Sequence, residues 1–325
     1  MASLLNTLLR ATNLRSPLLR VLVPSAAAAL ALQAAAAAPS ILCQTERFYD
    51  ISGSATVLAV GALSLYLPAL RARAAGHITR LPGLLGALGA RGGAGGGPAF
   101  NWRQLLVTAM AMAWTLRLGS YLFRRALSDG NDSRFDKYRT RPLAFAGCFL
   151  AQAVWVSLMM APVFALNAAP AAALPAALGV VDVVGIGLWL FGIAFEATAD
   201  AQKSRWAREK RLKLHDEDFL TSGLFGKSRF PHYFGEITLW TGLATVAAGA
   251  LARTPVQLGL GLGGGLAGVL ATTALAFVSP AFSAFLLTKV SGIPLSEGKY
   301  DKRYGGRKDY EEWKRNTPRL VPKLW

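Results

Sequence analysis

Residues 143–181 read LAFAGCFLAQAVWVSLMMAPVFALNAAPAAALPAALGVV and contain no Asp, Glu, Lys or Arg. Two further runs, 21–45 and 237–288, are also free of these four residue types, apart from Arg253. A helix of about 20 apolar residues crosses the hydrocarbon core of a bilayer, so runs of this length are candidates for transmembrane helices. The sequence therefore predicts an all-α fold, a multi-pass transmembrane helical bundle.

About seven apolar segments are long enough to cross a membrane in this way. They lie at residues 21–42, 51–70, 104–123, 143–166, 178–199, 233–251 and 258–290. The last run contains Ser279-Pro280, which predicts either one kinked helix or two shorter pieces. The charged and aromatic residues of 297–325 predict an ordered cytosolic cap at the C-terminus.

Residues 1–45 have two open interpretations. They contain Arg10, Arg15 and Arg20 and no acidic residue, a composition that resembles an organelle transit peptide. The Ala-rich part of this segment is only weakly hydrophobic, yet it is long enough to form a first transmembrane helix. The remaining chain, 46–325, is predicted to form one membrane-embedded domain.

The chain carries 35 Lys and Arg against 18 Asp and Glu, a net charge of +17. These basic residues lie mostly in short loops between apolar segments, where they set topology and contact anionic headgroups, so we expect a lipid bilayer as partner and no nucleic acid. Loop 124–142 holds six of them, loop 203–229 holds eight and loop 168–177 none. This pattern predicts a C-terminus on the cytosolic or equivalent side of an endoplasmic reticulum or organelle membrane, although the arginines of the N-terminus and of 71–91 oppose it.

Arg117, Glu196 and Asp200 lie within or at the end of apolar spans, where charged groups are costly. Glu196 and Asp200 are four residues apart, which places both carboxylates on one face of the fifth predicted helix. Such a pair could bind a metal ion, hydrogen-bond to a ribose or an amide, or form a structural ion pair with Arg117. Cys43 and Cys148 are too far apart in sequence to suggest a metal clip, and we expect no metal site.

The segment Arg229-Phe230-Pro231-His232-Tyr233-Phe234-Gly235-Glu236 opens the sixth predicted span and is rich in polar groups. A guanidinium such as that of Arg229 can bind a phosphate through two hydrogen bonds, and Gly235 lets a backbone or a ligand approach closely. An interfacial belt of aromatic residues is the structural alternative. The density of donors and acceptors within about one turn favours a binding site. A third cluster follows the last span, with Glu297 and Tyr310 in the tail.

These motifs together resemble the steroid 5α-reductase superfamily, specifically its widespread uncharacterised branch, DUF1295. The resemblance covers residues 46–325 and is strongest after residue 185. The matching motifs, in chain order, are Phe195-Glu196 to Asp200, Gly223-Leu224-Phe225, the Arg229–Glu236 segment with Trp240, Ser291 to Leu295, and Asp309-Tyr310. The resemblance implies seven helices that bind NADPH, and an enzyme that reduces a carbon-carbon double bond conjugated to a carbonyl. A lipophilic substrate is implied: a steroid, a sterol, an isoprenoid or a fatty enone.

The resemblance places the cofactor-binding part at 185–325. The NADPH-binding residues that it implies are Glu196, Asp200, Arg205, Arg229, His232, Tyr233, Gly235, Glu236, Glu297 and Tyr310. Arg117 matches an arginine of the third helix and is an implied catalytic residue. Trp114 stands where the steroid enzymes have a catalytic tyrosine, so Tyr121, about two turns along the same face, is the predicted replacement.

Two other classes remain open. Isoprenylcysteine and phospholipid methyltransferases, which use S-adenosylmethionine, also place an Arg-x-Pro-x-Tyr-x-Gly block before a membrane helix. This class would explain Arg229, Pro231, Tyr233, Gly235 and Glu297, but it does not need the two carboxylates of the fifth helix. The third class is a non-catalytic membrane scaffold, which would need neither a cofactor nor a polar cavity.

Overall fold

The computed structural model describes residue 7 and residues 9–83, 100–129 and 135–323, with the backbone alone for 122–129. Within these residues the chain is helical and contains no strand, which confirms the predicted fold class. Residues 130–134, part of the predicted basic loop 124–142, lie outside the described residues.

Eleven α-helices organise the described residues. They are α1 (Leu19–Leu42), α2 (Tyr49–Ala74), α3 (Trp102–Asp129), α4 (Pro142–Met159), α5 (Ala161–Ala168), α6 (Val180–Arg211), α7 (Pro231–Leu251), α8 (Thr254–Gly259), α9 (Leu266–Phe285), α10 (Gly292–Tyr304) and α11 (Lys308–Asn316). Short 3₁₀ turns lie at Ala171–Ala173 and Gly223–Gly226, and a π-helical turn, Leu286–Val290, joins α9 to the Ser291 junction before α10.

Six helical segments of the described chain are long and apolar enough to cross a membrane. They are α1, α2, α4, α6, α7 and the segment Leu266–Tyr304, which contains α9 and α10. The remaining predicted span, 104–123, does form a helix, α3, but it is not among the six segments found in the described residues. The protein is thus an integral multi-pass membrane protein, and the count of seven spans stays a prediction.

Several predicted boundaries change in the structure. The span 143–166 is divided into α4 and α5, with Met160 between them and Pro162 in the first turn of α5. The predicted loop from residue 203 begins as helix, since α6 continues to Arg211 through residues with high helix propensity. Pro280 lies inside α9, so the Ser279-Pro280 pair does not end the helix.

The chain divides into two compact units. The first unit contains Met1–Asp182 and Thr245–Ser279. In it, α1 packs against α2, α4 and α5, and α2 packs against α3. Gln33 Nε2 of α1 donates to Thr56 Oγ1 of α2 at 2.8 Å, so these buried polar groups satisfy each other within the apolar helices.

A buried ion pair fixes the connection that leads into α6. Arg103 of α3 donates through Nε and Nη2 to the two carboxylate oxygens of Asp182, at 2.8 and 2.6 Å. The Arg103 guanidinium also donates to the carbonyls of Pro175 and Ala177, and Asp182 accepts the N–H of Gly179. The loop carbonyls and both charges are therefore satisfied in one network.

The second unit contains Val183–Ala244 and Pro280–Trp325. Its main helix pair, α6 and α7, meets at glycines. A Cβ on Gly242 of α7 would lie 2.5 Å from Gly185 O and 2.5 Å from Trp189 N of α6. A Cβ on Gly235, seven residues earlier, would lie 2.7 Å from Glu196 N. Glycines at this spacing allow the two backbones to approach closely, as small residues do between membrane helices.

Outside the apolar spans, aromatic residues join α10 and α11 to the segment that follows α6. Phe219 contacts Tyr310 at 5.4 Å and Trp313 at 5.3 Å between ring centroids. Arg307, between the two helices, donates to Asp218 at 2.6 Å. We call this group, Asp218, Phe219, Arg307, Tyr310 and Trp313, the C-terminal cluster.

Asp218→Asn should remove part of the acid sensitivity of the protein. Hydrogen bonding to Arg307 holds the pKa of the Asp218 carboxyl below its ordinary value. A lowered folded-state pKa contributes stability above the unfolded value of about 3.9, and this contribution disappears as the pH falls through the folded-state pKa. When thermal unfolding is measured in detergent from pH 6 downward, the unfolding temperature of Asp218→Asn should therefore fall less with decreasing pH than that of the wild type. Asp216→Asn, at an exposed carboxyl two residues away, should keep the wild-type acid loss; identical profiles for Asp218→Asn and wild type would contradict the prediction.

Candidate functional site

The second unit contains a cleft of about 120 Å³ that is lined by charged, polar and aromatic side chains. The end of α6 supplies Lys203 and Trp206, and the start of α7 supplies His232. Ser296, Glu297 and Tyr300 of α10 and Tyr310 and Trp313 of α11 complete the wall, together with Arg229 and Phe230 before α7. The cleft is thus built from four helices of this unit and from the segment before α7.

Hydrogen bonds to other residues of the chain hold the Arg229 side chain at the cleft. Its Nη1 donates to Glu297 at 2.5 Å and its Nε donates to the Thr317 carbonyl at 3.2 Å. Arg319 contacts the second carboxylate oxygen of Glu297 at 2.8 Å. The side chains of Arg229 and Glu297 are only 11% and 17% exposed, so this ion pair is largely removed from water. Arg229 therefore links α10 to the tail that follows α11.

The ring nitrogens of the cleft differ in whether they have a hydrogen-bond partner. His232 Nδ1 and Trp313 Nε1 are buried and have no hydrogen-bond partner among the described residues. The imidazole of His232 packs against Tyr233, with ring centroids 4.0 Å apart. By contrast, the other cleft tryptophan, Trp206, donates from Nε1 to Glu217 at 3.3 Å. Two residues that line the cleft therefore carry a buried ring nitrogen with no hydrogen-bond partner among the described residues.

Tyr310 contributes a neutral hydroxyl at the wall of the cleft. Its phenol donates to Asp301 at 2.7 Å, and Lys314 donates to the same carboxylate oxygen at 2.6 Å. Burial, with the Asp301 hydrogen bond in addition, raises the pKa of the Tyr310 phenol above its usual value. Tyr310 consequently remains protonated at neutral pH.

The structure brings together only part of the predicted cofactor site. Four of its residues, Arg229, His232, Glu297 and Tyr310, line the cleft. Arg205 lines a neighbouring depression and pairs with Glu209 at 2.8 Å.

The other five predicted cofactor residues lie elsewhere in the second unit. Glu196, 3% exposed, and Asp200 are on α6, and neither is among the described residues that line the cleft. Gly235 faces the α6 backbone. Glu236 accepts from Ser283 at 3.2 Å, and the ring of Tyr233 lies where a Cβ on Gly292 would clash. The cofactor roles of these five residues stay predictions.

The predicted catalytic residues Arg117 and Tyr121 lie on α3, in the first unit. They are one turn apart on the helix. Trp114, on the same helix, is 1% exposed and packs near Trp155, with ring centroids 6.2 Å apart. The catalytic role of Arg117 and Tyr121 stays a prediction.

Sequence reasoning missed several cleft residues. Lys203 and Trp206 were assigned to a loop, but the continuation of α6 places them three residues apart on one helical face. Ser296 and Tyr300 are four apart on α10, and Tyr310 and Trp313 are three apart on α11. The spacing of three or four residues between these side chains in the tail is therefore the sequence signal that indicates a shared helical face. No cluster of three or more His, Cys, Asp or Glu side chains that could hold a metal occurs in the part of the chain that the structure describes.

Comparison with known proteins gives one match. No curated protein and no solved structure matches the chain. A family model described as "Protein of unknown function (DUF1295)" matches residues 75–261 and 264–317. The matched residues include every residue of the cleft and all twelve predicted site residues. The chain therefore belongs to the DUF1295 family, and this part of the predicted resemblance is confirmed.

Proposed function

We propose that this protein is a membrane oxidoreductase that reduces a carbon-carbon double bond conjugated to a carbonyl, using NADPH and a lipophilic substrate. The cleft in the second unit is the observation that carries the proposal. It lies in the part of the chain for which the resemblance to steroid 5α-reductases implies cofactor binding. The six apolar helices support a lipophilic substrate, because such a compound partitions into the bilayer that surrounds them.

The residues of the cleft fit one end of NADPH. Lys203 and Arg229 supply positive charge for an anionic ligand, and Trp206, Tyr300 and Trp313 supply flat aromatic surfaces. The volume of about 120 Å³ is below the roughly 300–1,000 Å³ of typical small-molecule sites. The proposal therefore places only part of the dinucleotide in this cleft.

When bound, NADPH supplies a hydride for the β-carbon of the conjugated alkene. The α-carbon takes up a proton, so the alkene gains two hydrogen atoms in total. Arg117 and Tyr121 are proposed to hydrogen-bond to the substrate carbonyl oxygen, where negative charge develops in the transition state. Tyr121 would stand in for the tyrosine that Trp114 replaces.

One observation favours a second candidate, an S-adenosylmethionine-dependent methyltransferase of the isoprenylcysteine or phospholipid type. The ion pair between Arg229 and Glu297 joins two residues that this class would explain. Glu196 and Asp200, which favoured the reductase from sequence, are not among the described cleft-lining residues. The methyltransferase therefore needs to be tested beside the reductase.

A thermal-shift titration of the detergent-purified protein with NADPH, NADH and S-adenosylmethionine separates the two candidates. A ligand at about 100 times its dissociation constant stabilises the folded state by about 2.7 kcal/mol. We expect selective stabilisation by NADPH. Stabilisation by S-adenosylmethionine alone would support the methyltransferase, and stabilisation by none of the three would contradict both candidates.

Lys203→Met should weaken NADPH binding about tenfold, because one charged hydrogen-bonding group is lost while the apolar stem is kept. Arg208→Met removes an exposed charge from the same part of α6, outside the cleft, and should leave the affinity unchanged. Equal affinity in both variants, measured by the same titration, would count against this cleft as the cofactor site.

A further inference from the structure

Two cleft side chains lack a hydrogen-bond partner at a buried nitrogen, as described above: Trp313 at Nε1 and His232 at Nδ1. Such groups are costly, because burial removes their hydrogen bonds to water and nothing replaces them. The indole nitrogen can only donate, and the imidazole donates from Nδ1 in one of its two tautomers. Both side chains line the same cleft, so one acceptor group on a ligand could satisfy both.

Two other donors of the cleft already have protein acceptors. Trp206 donates to Glu217, and Arg229 donates to Glu297 and to the Thr317 carbonyl. Arg229 is therefore a poor choice for the residue that grips a phosphate, contrary to the suggestion of the sequence. Its task in the structure is to hold α10 and the tail in place, which positions the wall that carries Trp313.

The charge of the cleft favours an anionic ligand. Lys203 and Arg229 line it, and Arg319 contacts its single lining carboxylate, Glu297. The lining residues alone hold two cations against one carboxylate, which leaves an excess of one positive charge. A phosphate group has three strong acceptor oxygens and negative charge, so it can accept from two ring N–H groups while facing an ammonium.

We propose that the cleft binds a phosphate group, with Trp313 Nε1–H and His232 Nδ1–H as its donors and Lys203 as its countercharge. The proposal rests on the proposed function only for the origin of this phosphate, which would be the nucleotide cofactor. A phospholipid headgroup offers the same chemistry at a membrane surface. The test therefore includes both sources.

The first measurement is calorimetric titration of the full-length protein in detergent with inorganic pyrophosphate. Trp313→Phe keeps an aromatic ring and removes the N–H, and it should weaken binding about tenfold. Trp189→Phe is the matched control, since Trp189 Nε1 is also buried without a partner among the described residues but does not line the cleft, and it should bind nearly as the wild type does. Equal binding by the wild type and Trp313→Phe would overturn the proposal.

Substitutions at His232 give an independent test if Trp313→Phe does not fold. An asparagine amide can place an N–H near the position of Nδ1, so His232→Asn should retain most of the pyrophosphate affinity. His232→Phe keeps the ring and removes the nitrogen, and it should lose about tenfold. Equal affinities for the two variants would contradict a donor role for Nδ1.

Three further titrations identify the molecule that supplies the phosphate group and test whether the site prefers a phosphate to a carboxylate. NADPH and phosphatidic acid in nanodiscs are each compared between wild type and Trp313→Phe, and acetate serves as the carboxylate probe. A Trp313-dependent response to phosphatidic acid alone would assign the site to a lipid. A Trp313-dependent response to pyrophosphate without any NADPH binding would keep the phosphate site and refute the proposed function. An acetate response equal to that of pyrophosphate would overturn the phosphate assignment.

Discussion

Arg103→Met is expected to lower the free energy of unfolding by about 3–5 kcal/mol, the range found when one partner of a buried ion pair is removed. The side chains of Arg103 and Asp182 are 3% and 6% exposed, so the remaining carboxylate could not regain water. The Ala177 carbonyl would lose its Arg103 donor in the same substitution. The Pro175 carbonyl would lose this donor too and, among the described residues, would keep only Asn101 Nδ2. The loop that leads into α6 would therefore lose every hydrogen bond that the Arg103 guanidinium makes to it and to Asp182.

Thermal or denaturant unfolding in a mild detergent measures this effect. Arg205→Met is the control, because the Arg205 side chain is 74% exposed and its pair with Glu209 is open to solvent. The double variant Arg103→Met, Asp182→Leu should recover most of the loss, since apolar replacements of a buried pair are often neutral. A single variant as stable as the wild type would show that the pair is not buried in the folded protein.

Gly242→Val is expected to destabilise the second unit by about 3 kcal/mol or more, at the upper end of the cost of overpacking. The added Cβ would lie 2.5 Å from two backbone atoms of α6, Gly185 O and Trp189 N. Backbone atoms cannot move aside as a flexible side chain can, so α6 and α7 would have to separate. Their separation should also disrupt the cleft, because both helices supply residues that line it.

Gly187→Ala is the matched control for this substitution. Gly187 is also on α6, but a Cβ there would meet nothing within 4 Å. Alanine in a helix interior is more favourable than glycine by about 0.5–1 kcal/mol, so this variant should be neutral or slightly stabilised. Similar unfolding temperatures for Gly242→Val and Gly187→Ala would rule out close packing at Gly242.

The sequence predicts the membrane helices well because a bilayer imposes a simple constraint on apolar length. Segments 51–70 and 233–251 correspond closely to α2 and α7. The end of α6 was predicted poorly, because charged residues after position 200 suggested a loop although most of them favour helix. The break at Met160 was missed because both sides of it are equally apolar.

The candidate site was predicted only in part, for a physical reason. The Arg229 segment is dense in polar groups over a short stretch, and three of its residues, Arg229, Phe230 and His232, line the cleft. Its contact with Glu297 lies 68 residues away in the chain, and only tertiary packing decides it. Trp313 was counted among the aromatic residues of the tail, and nothing in the sequence indicates that its N–H lacks a partner.

A Cβ on Gly192 of α6 would lie 2.5 Å from Leu239 N of α7, so the two helices are also in close contact at this glycine. This contact fixes the direction in which the cleft residues of α6 point. Gly192 and Lys203 are 11 residues apart on α6, close to three whole turns at about 3.6 residues per turn. Lys203 therefore faces the same side as the α7 contact, with Trp206 one turn beyond. One residue inserted between positions 192 and 203 would rotate both side chains by about 100° around the helix axis and turn them away from His232. The length of this stretch, more than the identity of its residues, is what keeps the ammonium and the imidazole on a common wall.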